Sequence, residues 1–156
     1  MGIKEEIVDY ITRNRISTTE VADCLGKSGA LVDMVPCVKG LHKVGEIRWV
    51  YAYNESNWPL HEQIQDIPED KIVLVDEYDC KDRALFGELV SKYLLLYKQS
   101  RAIVVNGKLR DAAALLRQGW PIWCRGYTPI GCFNVRPDDG VEKKWEEHQR
   151  KKYDGA

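Results

Sequence analysis

The stretch from Lys71 to Tyr127 alternates strand and helix patterns, and this alternation constrains the fold more than any other feature of the sequence. Its strand patterns are "KIVLVDEY" (71–78), "AIVVNG" (102–107) and "PIWCRGY" (121–127), and its helix patterns are Leu85–Gln99 and "RDAAALLRQG" (110–119). The short apolar runs are typical of buried strands, and Leu85–Gln99 carries an apolar stripe at helical spacing. A β-α-β-α-β order predicts an α/β fold in which crossover helices join parallel strands.

The flanking segments predict further elements of the same domain. Ser17 followed by Glu20 is a capping box that starts a helix, and Gly26 is expected to end it. The other predicted elements are a helix over Ile3–Asn14, a strand "VGEIRWVYAY" (44–53), a helix "NWPLHEQIQDI" (57–67), a strand "CFNVR" (132–136) and a polar C-terminal helix over 140–154. We expect one domain over residues 1–156, since this length suffices to bury a core.

Charge and cysteine content exclude several functions and suggest a compartment. The chain has 23 Lys and Arg against 24 Asp and Glu, so no global field favours binding to nucleic acid or to an acidic membrane. The N-terminus lacks the apolar core of a signal peptide, and no run is long enough to span a bilayer. Five cysteines without a CxxC pair indicate reduced thiols. We therefore expect a cytoplasmic protein.

Two loops are predicted to meet at the carboxyl edge of the sheet, where ligands bind in parallel α/β folds. The first contains Gly87 at the start of a long helix. The free N–H groups of Gly87, Glu88 and Leu89 could hold a carboxylate or a phosphate there. The alternative is that Gly87 only allows the helix to pack closely, and the sequence does not distinguish these two interpretations.

The second loop ends in the dipeptide Arg110-Asp111. The planar guanidinium of Arg110 suits a bidentate grip on a carboxylate, and Asp111 is an oxygen ligand of the kind that Mg²⁺ accepts while keeping most of its waters. Alternatively, Asp111 only caps the following "AAALL" helix and Arg110 is solvated. The three histidines are scattered without the spacing of a metal site.

Taken in order, the segments "STTEVADCLGKSGAL", "DRALFGEL" and "VVNGKLRDAAALLRQGWPIWCRGYTPIG" resemble the RraA-like family. That family includes the regulator of RNase E activity A, and divalent-metal-dependent 4-hydroxy-4-methyl-2-oxoglutarate aldolases and oxaloacetate decarboxylases. The similarity runs from about Ile16 to Gly131. It implies a β/β/α swivelling-domain sandwich that assembles as a homotrimer or a pair of trimers, with sites between subunits.

The resemblance also implies roles for the two loops. In aldolase members the amides of the GEL segment hold the pyruvate carboxylate, the arginine binds substrate and stabilises enolate charge, and the aspartate binds Mg²⁺ or Mn²⁺. The residues that would take these roles here are Gly87, Glu88, Leu89, Val90, Arg110 and Asp111. A Lewis acid on a 2-keto oxygen, with fixed donors on the carboxylate, is suited to forming an enolate.

Three departures from the family pattern bear on activity. Catalytic members carry an acid at the position of Ala114, and many carry an aspartate at the position of Asn106. Relatives usually continue beyond the position of Ala156 into further strands, so a shortened member, or one whose C-terminal helix replaces that part, is expected.

Four functions follow as hypotheses. The favoured one is a metal-dependent lyase, an aldolase or decarboxylase, that acts on a small 2-keto acid. The second is a non-catalytic binding protein that regulates a protein partner, which Ala114 favours. The third is activity on a sugar acid or another biosynthetic intermediate. The fourth, a quinone methyltransferase, has little support, because no glycine-rich cofactor loop follows a first strand.

Overall fold

A five-stranded sheet organises the chain. The computed structural model describes residues 2–156, and Met1, the first residue of the expected domain, lies outside this range. The strands are β1 (Val35–Pro36), β2 (Ile47–Tyr53), β3 (Ile72–Tyr78), β4 (Ala84–Phe86), β5 (Ala102–Val105), β6 (Lys108–Leu109) and β7 (Ile122–Cys124). The helices are α1 (Ile3–Asn14), α2 (Thr18–Cys24), α3 (Trp58–Gln63), α4 (Glu88–Lys92), α5 (Ala112–Gln118) and α6 (Lys143–Tyr153).

The strand order of the large sheet is β1-β7-β5-β3-β2, and β4 pairs with β6 in a second, two-stranded sheet. Strands β2, β3, β5 and β7 are parallel to one another, and only the short edge strand β1 is antiparallel. The predicted α/β class with parallel strands and crossover helices is therefore confirmed. Strand β4 follows β3, and β6 follows β5. The small sheet is therefore formed by the segments that come directly after two neighbouring strands of the large sheet.

The large sheet buries both faces, which explains its nearly continuous apolar strands. One face packs with α3, α4, α5 and the small sheet in the main core, where Val73, Val75 and Ile103 are fully buried. The other face carries Trp49, Tyr51 and Leu74, which contact Trp145 of α6 and its neighbours. The small sheet thus lies on the main-core side, and α6 covers the opposite side.

The predicted helix over Leu85–Gln99 was wrong in its first turn. Ala84–Phe86 form β4, and helical structure begins at Glu88 and continues from α4 through a π-helical turn at Tyr93–Tyr97. The expected apolar stripe was also wrong in part, since the side chains of Leu89 and Tyr97 are 81% and 74% exposed. Leu85 and Phe86 are apolar enough for either assignment, and long-range pairing with β6 decides in favour of a strand.

The last two predicted strands were also incomplete. "PIWCRGY" forms a strand only at Ile122–Cys124, and "CFNVR" forms no strand, although Phe133 makes a single bridge to Ser56. Phe133 is 54% exposed, so its apolar character does not reflect a place in the core. The two-residue strands β1 and β6 had no recognisable sequence pattern.

The terminal helices agree with the prediction. The Ser17 hydroxyl accepts the Glu20 N–H at 3.2 Å, and the Glu20 carboxylate accepts the Ser17 N–H at 2.8 Å, which is the predicted capping box. The C-terminal helix was predicted over 140–154 and spans Lys143–Tyr153. Within residues 2–156, no helix is both long and apolar enough to cross a membrane.

Candidate active site

Strands β4 and β6 place the two predicted loops side by side. Phe86 pairs with Leu109 in parallel register, so each strand is followed at once by one of the candidate segments. The Arg110 N–H also donates to the Phe86 carbonyl at 3.0 Å. Gly87 and Glu88 therefore lie next to Arg110 and Asp111, as the hypothesis of a shared site requires.

The Asp111 carboxylate joins the two segments directly. Its Oδ2 atom accepts the backbone N–H of Glu88, the first residue of α4, at 3.0 Å. Asp111 occupies the N-cap position of α5, but its side chain makes no capping hydrogen bond there. The interpretation of Asp111 as a cap for its own helix was therefore wrong, because the carboxylate caps α4 instead. The negative charge is favourable at that helix start.

The backbone at Asp111 is held in the left-handed region, with φ of 58° and ψ of 35°. This conformation is uncommon for residues other than glycine, although Asp and Asn tolerate it best. It turns the carboxylate back toward β4 and away from the helix that follows.

Gly87 is required for the close approach of the two segments. A Cβ atom at Gly87 would overlap the Asp111 carboxylate and lie 2.8 Å from Cγ of Arg110. The overlap with Asp111 by itself excludes a side chain at this position. The two alternatives for Gly87, an anion-binding helix start and close packing, are thus compatible, because close packing places Asp111 at the helix start.

Arg110 lies over a second glycine, Gly131, for which the sequence predicted no role. Its Nη1 atom is 3.1 Å from the position that a Cβ of Gly131 would occupy. The Arg110 and Asp111 side chains are 53% and 45% exposed, and Nε of Arg110 is 3.9 Å from Oδ2 of Asp111. The guanidinium is therefore placed by packing on the Gly131 backbone, and both charged groups remain accessible to a ligand.

Asn106 does not join this cluster. Its side-chain N–H donates to the Asp76 carboxylate at 2.8 Å. Asp76 is only 2% exposed, and it also accepts from the side chains of Trp49 and Gln149. An aspartate at position 106 would face Asp76 as a like charge. Asn106 therefore lies on the sheet face that α6 covers, and not in the candidate site.

Glu88 is an acidic residue close enough to Asp111 for their charges to interact. Its carboxylate pairs with Lys92 at 2.8 Å, and this contact lowers the pKa of Glu88, which the charge of Asp111 opposes. Glu88 is therefore ionised and paired at neutral pH. Ala114, one turn after Asp111 on α5, contributes no charge.

An apolar groove of about 370 Å³ runs along α4 beside the candidate site. Its lining residues are His61, Ile64, Gln65, Leu89, Val90 and Tyr93. Burial lowers the pKa of His61, so this ring is neutral at pH 7. The groove shares Leu89 and Val90 with the predicted carboxylate-binding segment.

The chain matches the family model described as "RraA-like: Aldolase/RraA" over residues 18–142. The chain belongs to the RraA-like family. The matched range includes both glycines, the dipeptide and the whole of the two sheets. The family expectation drawn from the sequence is thereby confirmed.

Individual relatives agree with this assignment. A protein of Halalkalibacterium halodurans named "Putative 4-hydroxy-4-methyl-2-oxoglutarate aldolase" is 31% identical and aligns with 85% of this chain and 71% of its own length. The structure is similar to Streptomyces coelicolor RraAS2, described as an unusual member of the RNase ES inhibitor RraA protein family, with a TM-score of 0.69 and 24% identity over 81% of this chain and 66% of that one.

An uncharacterized protein from Pseudomonas syringae has a TM-score of 0.65 at 20% identity, over 84% of this chain and 62% of that one. The chain thus spans somewhat under two thirds of the length of each of these two solved structures. At such identities the likeness establishes the fold, which is the RraA-like α/β fold.

A divalent cation at Asp111 is expected from the sequence, and the residues around Asp111 can be compared with the ligands that such an ion needs. Residues 2–156 contain no group of three or more His, Cys, Asp or Glu side chains arranged to hold a metal. Asp111 uses one oxygen for the Glu88 N–H and is nearly half exposed. Mg²⁺ is commonly held by one or two carboxylates, with water and substrate as its other ligands. A hydrated Mg²⁺ or Mn²⁺ therefore fits Asp111, whereas a site built wholly from protein ligands does not.

Proposed function

We propose that the protein is a divalent-metal-dependent lyase, an aldolase or decarboxylase, that acts on a small 2-keto acid. One observation carries the proposal: the Asp111 carboxylate caps α4 at Glu88. This contact brings a carboxylate suited to a hydrated cation, a cationic side chain and the start of a helix together at one solvent-accessible place.

The residues of the candidate site would have different roles, which follow from their charges. Since Asp111 already occupies the Glu88 N–H, the predicted donors left for a substrate carboxylate are the amides of Gly87, Leu89 and Val90. Arg110 adds a positive charge that can pair with the carboxylate or with charge that develops on the keto oxygen. The cation would supply Lewis-acid polarisation of the keto group when bound at Asp111.

Pyruvate release from oxaloacetate tests this proposal. We expect turnover by the wild-type protein with Mg²⁺ or Mn²⁺, and its loss in excess EDTA, with recovery when the metal is restored. The spontaneous and metal-catalysed decarboxylation of oxaloacetate must be subtracted, using the same buffer with heat-denatured protein. Absence of metal-dependent turnover above that background, with both oxaloacetate and 4-hydroxy-4-methyl-2-oxoglutarate, would refute the lyase proposal.

A second candidate function is regulation of a protein partner without catalysis. Ala114 in place of an acid favours this function. Exposed apolar side chains on α4 and the π-helical turn after it also favour it, since Leu89, Leu96 and Tyr97 are 81%, 62% and 74% exposed. Contiguous exposed apolar surface commonly marks a protein interface. Metal-dependent turnover that tracks Asp111 would argue against a purely regulatory role.

We also propose that the protein assembles as a homotrimer or a pair of trimers. The candidate site is open to solvent on a single chain, because its two charged side chains are about half exposed. A second copy of the chain would cover the site and exclude water. Light scattering coupled to size exclusion should then give three or six times the chain mass of 18.0 kDa. A monomer across the micromolar range would contradict this assembly.

A further inference from the structure

Four of the five cysteines lie in two pairs that the candidate site does not use. Cys80 and Cys132 lie in segments that backbone hydrogen bonds join and pack in the main core, as do Cys37 and Cys124, whereas Cys24 is exposed on α2. None of these pairs is bonded as a disulfide. The sequence, with no CxxC spacing, gave no indication of either pair, because both depend on long-range contacts.

The backbone of Glu55 holds the segments of one pair together. Its N–H donates to the Asp79 carbonyl at 3.1 Å, and its carbonyl accepts the Phe133 N–H at 2.8 Å. These partners are the chain neighbours of Cys80 and Cys132. The two segments that carry Cys80 and Cys132 are therefore both hydrogen-bonded to the same residue.

Strand β4 fixes the same two segments a second time. The Ala84 carbonyl accepts the Cys132 N–H at 3.0 Å, and the Arg83 N–H donates to the Cys80 carbonyl at 3.0 Å. The two side chains pack in the same core cluster. Backbone hydrogen bonds, and not only the thiols themselves, thus hold the pair in place.

The two thiols differ in access and in charge. Cys80 is 1% exposed, and Cys132 is partly exposed. The interaction with the Cys80 thiol lowers the pKa of Cys132, and the positive charge of Arg83 acts in the same direction, whereas burial and the charges of Glu77 and Glu55 oppose this shift. The same interaction raises the pKa of Cys80. Cys132 is therefore the thiol that ionises and meets a reagent first, with Cys80 behind it, which is the arrangement of redox-responsive pairs.

We propose that Cys80 and Cys132 form a reversible intramolecular disulfide by exchange with a low-molecular-weight disulfide such as oxidised glutathione. The Cys132 thiolate attacks one glutathione sulfur, and the other glutathione leaves as a thiolate. The Cys80 thiol then loses its proton and attacks Sγ of Cys132, which releases the second glutathione. Two protein thiols are oxidised, and one glutathione disulfide is reduced to two thiols.

The position of this pair links it to the candidate site. Gly131, next to Cys132, is the residue on which the Arg110 guanidinium packs, at 3.1 Å from the Cβ position. Gly131 also bridges Ala84 of β4, the strand that leads to Gly87. The disulfide would therefore form one residue away from the backbone that supports Arg110.

Thiol titration and peptide mapping test the proposal without reference to activity. Cys24→Ser removes the exposed thiol and leaves four. After incubation with excess oxidised glutathione under native conditions, we expect two titratable thiols per chain, a mapped Cys80–Cys132 disulfide and no bound glutathione. Dithiothreitol should restore all four thiols.

Matched variants in the Cys24→Ser background separate the steps. Cys80→Ser should stop the reaction at one stable glutathione adduct on Cys132, and Cys37→Ser, in the other pair, should leave the Cys80–Cys132 disulfide unchanged. Four thiols remaining after exposure, a disulfide mapped only to Cys37–Cys124, or separate glutathione adducts on Cys80 and Cys132 would each overturn the proposal. These results do not depend on whether the protein is a lyase.

Discussion

Gly87→Ala should destabilise the protein by about 1–3 kcal/mol, as forced overpacking does, and should also impair the candidate site. The new methyl group would overlap the Asp111 carboxylate and approach Cγ of Arg110 at 2.8 Å. The carboxylate must then move away from the Glu88 N–H, which loses its acceptor. Thermal unfolding should record a fall in Tm of roughly 2–10 °C for a chain of this size.

Gly140→Ala is the matched control for this change. A Cβ at Gly140 meets no atom within 4 Å, and its φ lies outside the left-handed region. The control should therefore unfold within about 0.5 kcal/mol of wild type. If Gly87→Ala were equally neutral, the close approach of β4 to Asp111 would not exist in solution.

A second substitution can show that Asp111 causes the effect. Asp111→Gly removes the overlapping carboxylate and suits the left-handed backbone at that position. In the Gly87→Ala background it should recover part of the lost stability, so that the two changes are not additive. Additive losses would mean that the strain at Gly87 arises elsewhere.

The α/β fold was predictable because periodic apolar runs report buried strands directly. β3 and β5 are buried on both faces, and their sequences "KIVLVDEY" and "AIVVNG" show it. The small sheet was not predictable, since β4 and β6 have three and two residues and exist only through pairing across the fold. Leu85 and Phe86 fitted the helix pattern equally well, and no local signal could separate these states.

The candidate site was predictable in its membership but not in its contacts. Strand ends placed Gly87 and Arg110 on one edge of the fold, and the family resemblance assigned their roles. The sequence could not show that Asp111 caps α4 and not α5, because a capping residue looks the same for either helix. Nor could it show Gly131 under Arg110, or Asn106 paired with Asp76, because these contacts join residues far apart along the chain.

Asp111→Asn should separate the charge of Asp111 from its structural role. The Asn side-chain carbonyl can accept the Glu88 N–H that Asp111 accepts at 3.0 Å, and Asn tolerates the left-handed backbone better than Ala does. Stability should therefore change by less than about 1 kcal/mol. The loss of the anionic ligand should lower metal-dependent kcat/KM for oxaloacetate by about 10²-fold or more, as for removal of a key electrostatic group.

Asp82→Asn provides the control for the same chemical change at another surface. The Asp82 side chain is 86% exposed and pairs with Lys108 at 3.0 Å, so the loss of its charge should leave kcat/KM and Tm close to wild type. A titration of activity with Mg²⁺ then shows which carboxylate holds the metal. The activity of Asp82→Asn should saturate with Mg²⁺ as that of wild type does. The activity of Asp111→Asn should require far more metal or fail to saturate. If Asp111→Asn kept wild-type turnover and metal dependence, the cation would bind elsewhere. The basis for a lyase at the candidate site would then be removed.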